Sequence, residues 1–527
     1  MKDALPPLSC FGVVLLLSTI PIIGCDLASS DRNLEPVACQ PDPPAFPNPV
    51  EVDPDPVREN NNLTIGWISR LPPIDYVWGS TNPAVEGWPS DGQEVSWQAH
   101  VKNWAQEDRK AVRYNWFLDG ALVDSGTVDI AASSYATVAY RWNWEFERHE
   151  LTFVLEPEQG SDNHLLIHTN ALTIGFYVEQ GMYDYFHEHQ HNLGIGSNSF
   201  EGWAQRQVRF WNAILASAIY PETPEGVIDR IRIDNITIVP DGSLGENLYQ
   251  PNRNDRTVDL QWGVPFGFGI GDIGIFNEYL DHRTVNRFNP FYYDGVVFHE
   301  LGHARYLVDV YAFDVFHHRN DVHWIDIQEQ GKAVAGSKYM PWISRSNMVY
   351  MAPDKGLMKR TYTYLDRYSA VAMNLIAGHR ATKGNYNGPE NLGSFLLDLP
   401  EQNRLVVKDS LGNILVNADV KIFQDDVTSP NYYGGHYDNV PDLGFVADER
   451  GEVLLGKDPF NLAGSAATNT RGEAKPITLV LRVEHRGKVG YSFLPSYLFN
   501  LEYWRGNTAM GTYEICVALQ EREEGSL

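Results

Sequence analysis

Residues 299–309 read His-Glu-Leu-Gly-His-Ala-Arg-Tyr-Leu-Val-Asp. On a helix, residues four apart lie one turn above each other on the same face. His299 and His303 are so placed, and two imidazoles held that way can bind one zinc ion. Glu300 follows the first histidine, where a carboxylate can take a proton from metal-bound water. Asp309 adds an oxygen ligand six residues beyond His303 and leaves a fourth coordination position for water and substrate. The segment therefore predicts a zinc site made by His299, His303 and Asp309, with Glu300 as general base for amide hydrolysis.

The flanking residues support a helix. Asp294 is a suitable N-cap, and Val296, Val297, Phe298 and Leu301 supply a buried side behind the ligand face. Downstream stands Ser346-Asn347-Met348-Val349-Tyr350. Together these motifs resemble the metzincin clan of zinc peptidases, whose HExxHxxGxxH or HExxHxxGxxD pattern precedes a tight turn carrying methionine. The resemblance implies Asp309 as third ligand, Met348 as the methionine beneath the zinc, and Tyr350 as a group that binds the metal or stabilises the oxyanion. The Asp309-x-Tyr311 ending is also similar to secreted peptidases of the immune inhibitor A type. One position departs from both patterns. Tyr306 stands where those families have glycine, and a bulky residue carries a conformational penalty at φ > 0. If the turn is built differently, Asp314, His317 and His318 are the substitute donors within reach.

The chain has 527 residues, 43% of them hydrophobic and 12% aromatic, enough for about three packed domains. Its formal net charge of −27 argues against nucleic acid as a partner, because neutralising phosphates needs basic patches. Near the N-terminus, Lys2 precedes an apolar run from Phe11 to Ile23, too short to span a bilayer and suited to a signal peptide. The run ends in Ile22-Ile23-Gly24-Cys25, which resembles the lipobox of bacterial lipoproteins; an ordinary cleaved signal is the other reading. Cys25 would then carry lipid, placing the protein at the bacterial cell envelope or outer surface, with secretion if the lipobox is not used. Cys39 and Cys516 could pair in an oxidising compartment. Residues 26–65, with seven prolines between Pro41 and Pro56, read as a Pro- and acid-rich tether.

Residues 66–180 read as short strands. Val95-Ser-Trp-Gln-Ala-His-Val101 alternates apolar and polar, and Asp119-Gly120 is a hairpin signal. Leu172-Thr-Ile174 continues the pattern. The block predicts an immunoglobulin-like sandwich. It resembles the CARDB modules of cell-surface proteins in Ala99-His-Val-x-Asn103 and in Asn163 and Thr169-Asn-Ala-Leu172, which implies a spacer or binding role. Residues 181–395 form the predicted α+β peptidase domain. It opens with His187-Glu-His-Gln-His191, read as a polar loop, or as a strand whose alternate histidines face one way toward a second metal. An amphipathic stripe follows at Ala204, Val208, Trp211, Leu215 and Ile219, then an edge strand across 230–239 suited to a peptide substrate. A later helical stripe carries Leu365, Tyr368, Ala372 and Leu375. Residues 396–527 return to β, with strands flanking Gly412-Asn413, and resemble the carboxypeptidase-regulatory sandwich.

The expected architecture is multidomain: an α+β metzincin-like peptidase domain flanked by two all-β immunoglobulin-like sandwiches. The expected activity is zinc-dependent endopeptidase action on proteins or peptides, with membrane contact through a lipid anchor only. A cell-surface adhesion or glycan-binding protein with an inactive peptidase-like domain is the reading from a different class. A hydrolase acting on another amide or an ester is a third.

Overall fold

A computed structural model describes residues 63–74, 87–156, 163–193, 199–244, 251–252, 255–266, 295–317, 323–343, 347–359, 364–380, 394–425, 435–462 and 476–522. The signal segment, Cys25, Cys39, Asp294 and His318 lie outside these residues. The described part is mostly β-sheet with few helices. None of its helices is long and apolar enough to cross a membrane.

The N-terminal unit packs two antiparallel sheets face to face. One joins Leu63–Leu71, Glu94–Asn103 and Tyr135–Asn143; the other joins Ala121–Ile130, Arg109–Leu118, Glu150–Glu156 and His164–His168. Alternation along 94–103 puts Val95, Trp97, Ala99 and Val101 into the core beside Trp116, Trp144 and Phe153. The Asp119-Gly120 turn has both φ values positive, as a two-residue hairpin matched to strand twist requires. Asn103 is buried and ties its loop down by donating to the carbonyls of Glu107, Ile130 and Ala131.

The central unit begins upstream of the boundary expected at 180. Strand Leu172–Glu179 is the middle of a parallel three-stranded sheet between Leu260–Val264 and Ile231–Val239. All eight of its residues are buried, the signature of a strand covered on both faces, and it belongs to the central core rather than to the sandwich. Strand Ile231–Val239 lies at the sheet edge, as expected. However, the sandwich strand Leu63–Leu71 packs against it, and partial exposure is confined to 235–239.

Helix α1 spans Gln180–Leu193 and contains the histidine run 187–191. This corrects the loop-or-strand reading: residues 187–191 are helical, and alternate positions on a helix do not share a face. His187 instead stacks on Trp104 at 4.1 Å. Helix α2, Phe200–Ser217, starts at Ser199, whose hydroxyl accepts from Gly202 N. It buries Ala204, Val208, Trp211 and Leu215 as its stripe predicts, while Ile219 lies past its end and is exposed.

The C-terminal unit forms two further sheets around its own core. Around Gly412-Asn413 the chain turns back on itself as expected, with Ile414 bridged to Lys408 and Leu415 N donating to Val407 O; the next strand, Asp419–Phe423, then passes into the other sheet. The unit is also built into the centre. Strand Gly435–Tyr437 completes a sheet with Met348–Tyr350, Val315–Phe316 and His323–Ile325. Of the remaining helices, α3 spans Gly295–Ala304, α4 Arg367–Leu375 and α5 Tyr497–Trp504. Helix α5 sends Tyr497 and Leu501 into the central core and Phe499 into the C-terminal one. Cys516 carries no disulfide.

Candidate metal centre

Helix α3 is seated by its apolar side. Val297, Phe298 and Leu301 are buried, and Phe298 stacks on Trp211 of α2 at 5.5 Å and 12°. That packing turns the opposite face, with His299 and His303, away from the sheet. The helix then ends sharply. Leu307 N donates to Gly302 O and Tyr306 N to His303 O, both at 3.1 Å, with Tyr306 at φ +69°. This is a Schellman ending with tyrosine in the left-handed position usually held by glycine. The strained φ costs on the order of 1–2 kcal/mol. The ring is 3% exposed, and burying it contributes about 1.5–3 kcal/mol. A left-handed turn therefore forms at Tyr306 without glycine, and the conformational penalty is opposed by the burial of its side chain.

That turn carries Asp309 back over the helix. His299 Nε2 lies 3.0 Å and His303 Nε2 3.5 Å from the same oxygen, Asp309 Oδ1. The three donor atoms lie within 4.8 Å of one another. Zinc ligands at about 2.0–2.2 Å in tetrahedral array are separated by about 3.3–3.6 Å, so the cluster needs only small adjustments to hold one ion. The other imidazole nitrogens are committed. His299 Nδ1 donates to Leu357 O at 2.9 Å and His303 Nδ1 to Leu307 O at 2.8 Å. A carbonyl can only accept, so each Nδ1 bears a proton and each Nε2 is the atom that faces Asp309, donating to its carboxylate when it carries a proton and free to coordinate a metal when it does not. The rings stand nearly perpendicular at 4.9 Å.

Without a metal, the three groups pair as buried opposite charges. Burial would raise the Asp309 carboxyl, but charge and hydrogen bonds from His303 and His299 hold it well below the usual carboxylate range. Burial opposes charge on His303, yet Asp309 chiefly, with Glu300 adding its charge, raises it to about 9. Glu300 is half-buried one residue after His299.

Of the substitute donors, Asp314 and His317 are engaged elsewhere. Asp314 accepts from Lys359 Nζ at 2.7 Å and Ala352 N at 2.8 Å. The His317 ring sits 5.4 Å from Trp342. Met348 and Tyr350 occupy a strand paired with Val315–Phe316, with Asn347 at φ +58° before it. The Tyr350 ring stacks on Phe493 at 4.6 Å and 18°, and burial together with the Asp314 charge pushes its phenol up. The methionine against the ligand helix is Met358: a Cβ on Gly302 would stand 2.9 Å from its Sδ. Met358 shares a turn, Leu357–Lys359, with the carbonyl that orients His299. Sequence reasoning missed Gly302, Met358 and the two orienting carbonyls; carbonyls leave no side-chain signal, and Met358 lies outside the turn pattern.

No protein-family model matches the chain, and no curated protein matches it. Among solved structures, the CARDB domain of a Pyrococcus furiosus protein aligns over 20% of this chain and 91% of its own at 12% identity, TM-score 0.15. A domain of a putative cell surface protein from Methanosarcina acetivorans aligns over 20% and 88% at 19% identity, TM-score 0.15. A β-galacturonidase from Eisenbergiella tayi aligns over 30% and 28% at 10% identity, TM-score 0.15. Scores of this size carry no argument about fold or activity.

Proposed function

We propose that the protein is an extracytoplasmic zinc endopeptidase, tethered through Cys25, of metzincin-like type. The observation that carries this reading is the convergence of His299 Nε2, His303 Nε2 and Asp309 Oδ1, with both Nδ1 atoms locked onto backbone carbonyls. Two imidazoles, once their Nε2 atoms are deprotonated, and one carboxylate suit zinc and leave a position for water. Zinc bound there would lower the pKa of that water and polarise the scissile carbonyl. Glu300 takes the proton as the water attacks and delivers it to the leaving amine. Tyr350, its phenol kept protonated at neutral pH, donates a hydrogen bond to the developing oxyanion. The flanking sandwich, CARDB-like in its sequence motifs, serves as a spacer between tether and site.

The test is metal analysis of the purified chain together with cleavage of a peptide library, with and without a chelator. Zinc at one equivalent with chelator-sensitive cleavage supports the reading. Zinc binding without cleavage of any peptide favours the adhesion reading, and cleavage of esters or other amides alone would redirect the substrate class.

A further inference from the structure

Three buried guanidiniums meet in the seam between the N-terminal sandwich and the central sheet. Arg70 lies on strand Leu63–Leu71 opposite Trp97, Arg232 on strand Ile231–Val239, and Arg380 beyond α4. Each faces an indole: Arg70 over Trp144 at 5.2 Å, Arg232 over Trp97 at 5.1 Å, Arg380 over Trp88 at 4.4 Å. Trp97 and Trp88 lie 6.4 and 5.8 Å from Trp144, so one aromatic cluster gathers all three cations.

Two of the cations have carboxylates. Arg232 Nε donates to Asp234 at 3.2 Å, and Arg380 Nε to Asp259 at 2.9 Å. Arg70 has none. It is 2% exposed, and its Nε and Nη1 meet no hydrogen-bond acceptor among the described residues. Among the described residues, the buried indole N–H groups of Trp97 and Trp144 also meet no acceptor. Burial, then repulsion from Arg232 and Arg380, pulls Arg70 down to about 9 from 12.5, with Asp234 and Asp259 opposing only in part. Among the described residues, the seam thus holds three positive groups, two negative ones and a surplus of donors. A buried charge in that position calls for a counter-charge, and water supplies hydrogen bonds but no charge.

We propose that Arg70 holds a small monovalent anion, a halide such as chloride, in the seam that joins the sandwich to the central unit. Fork-like N–H donors and indole N–H groups suit a compact acceptor that lacks directional demands. A bound anion stabilises the folded chain by mass action and ties sandwich to core. The site is independent of the metal centre.

The experiment is thermal melting of the full chain as chloride replaces gluconate at constant ionic strength, with bromide-grown crystals measured for anomalous scattering. The expected result is a melting temperature several degrees higher in chloride, a flat response in Arg70→Met, and a bromide peak beside Arg70 Nε. Equal melting in both salts, with no bromide peak at Arg70, overturns the proposal and assigns the counter-charge to a carboxylate of the chain itself. If Arg70→Met does not fold, the bromide peak in the unaltered chain decides alone.

Discussion

Segments 299–309 and 346–350 both carry motif residues, yet the fold treats them differently. In the first, each donor's position follows from local geometry: a four-residue helical spacing and a Schellman ending that returns Asp309 to the helix face. In the second, Met348 and Tyr350 lie on a short strand whose neighbours come from Val315–Phe316 and from Phe493 in the C-terminal unit. A motif read along the chain is dependable where its geometry closes within a few turns. Where it depends on distant partners, contacts such as that of Met358 with the ligand helix at Gly302 leave no mark in the motif.

The sharpest way to break that comparison is Glu300→Gln. Removing a general base costs about 10²–10⁴ in rate, and kcat should fall by that much while zinc content and melting are unchanged. Unchanged kcat removes Glu300 from the mechanism. Tyr350→Phe comes next. Loss of one oxyanion donor costs about 10² in kcat, with KM little altered; full activity would confine Tyr350 to packing on Phe493.

The two methionines sharpen the comparison through stability. Met358 is fully buried, so Met358→Ala should cost about 2–5 kcal/mol by denaturant unfolding. Met348, half-buried, should cost less than half as much. The opposite order would return the packing role to Met348.

A further effect concerns pH. Burial and the neighbouring Asp366 raise the Asp354 carboxyl to about 7, where it accepts from Arg367 and Tyr368 at the start of α4. A carboxyl whose folded pKa is raised is stabilised in its protonated form. Its contribution is present at acid pH and is lost as pH rises from the unfolded value near 3.8 through about 7. Melting measured across that window should decline less steeply in Asp354→Asn; identical slopes would contradict the assignment.

Periodicity made the N-terminal strands, the Asp119-Gly120 turn and the α2 stripe legible, because each obeys a local rule. Strand Leu172–Glu179 was misassigned to the sandwich because a fully buried parallel strand lacks the alternation that marks a sheet's exposed face. The histidine run in α1 was misread because its residues have no apolar period. At the site, side-chain donors were visible in the sequence, whereas the carbonyls of Leu357 and Leu307 that fix both histidine tautomers were not. Tyr306 was legible only as a conflict, and tertiary burial of its ring is what the local rule lacked.

The central claim is a single zinc held by three named atoms, and the most direct test is the structure of the zinc-loaded chain. The account predicts one ion with His299 Nε2 and His303 Nε2 at about 2.0–2.1 Å and an Asp309 carboxylate oxygen at about 2.0–2.2 Å. An ion coordinated without Asp309, or no ion between the two histidines at saturating zinc, would contradict it.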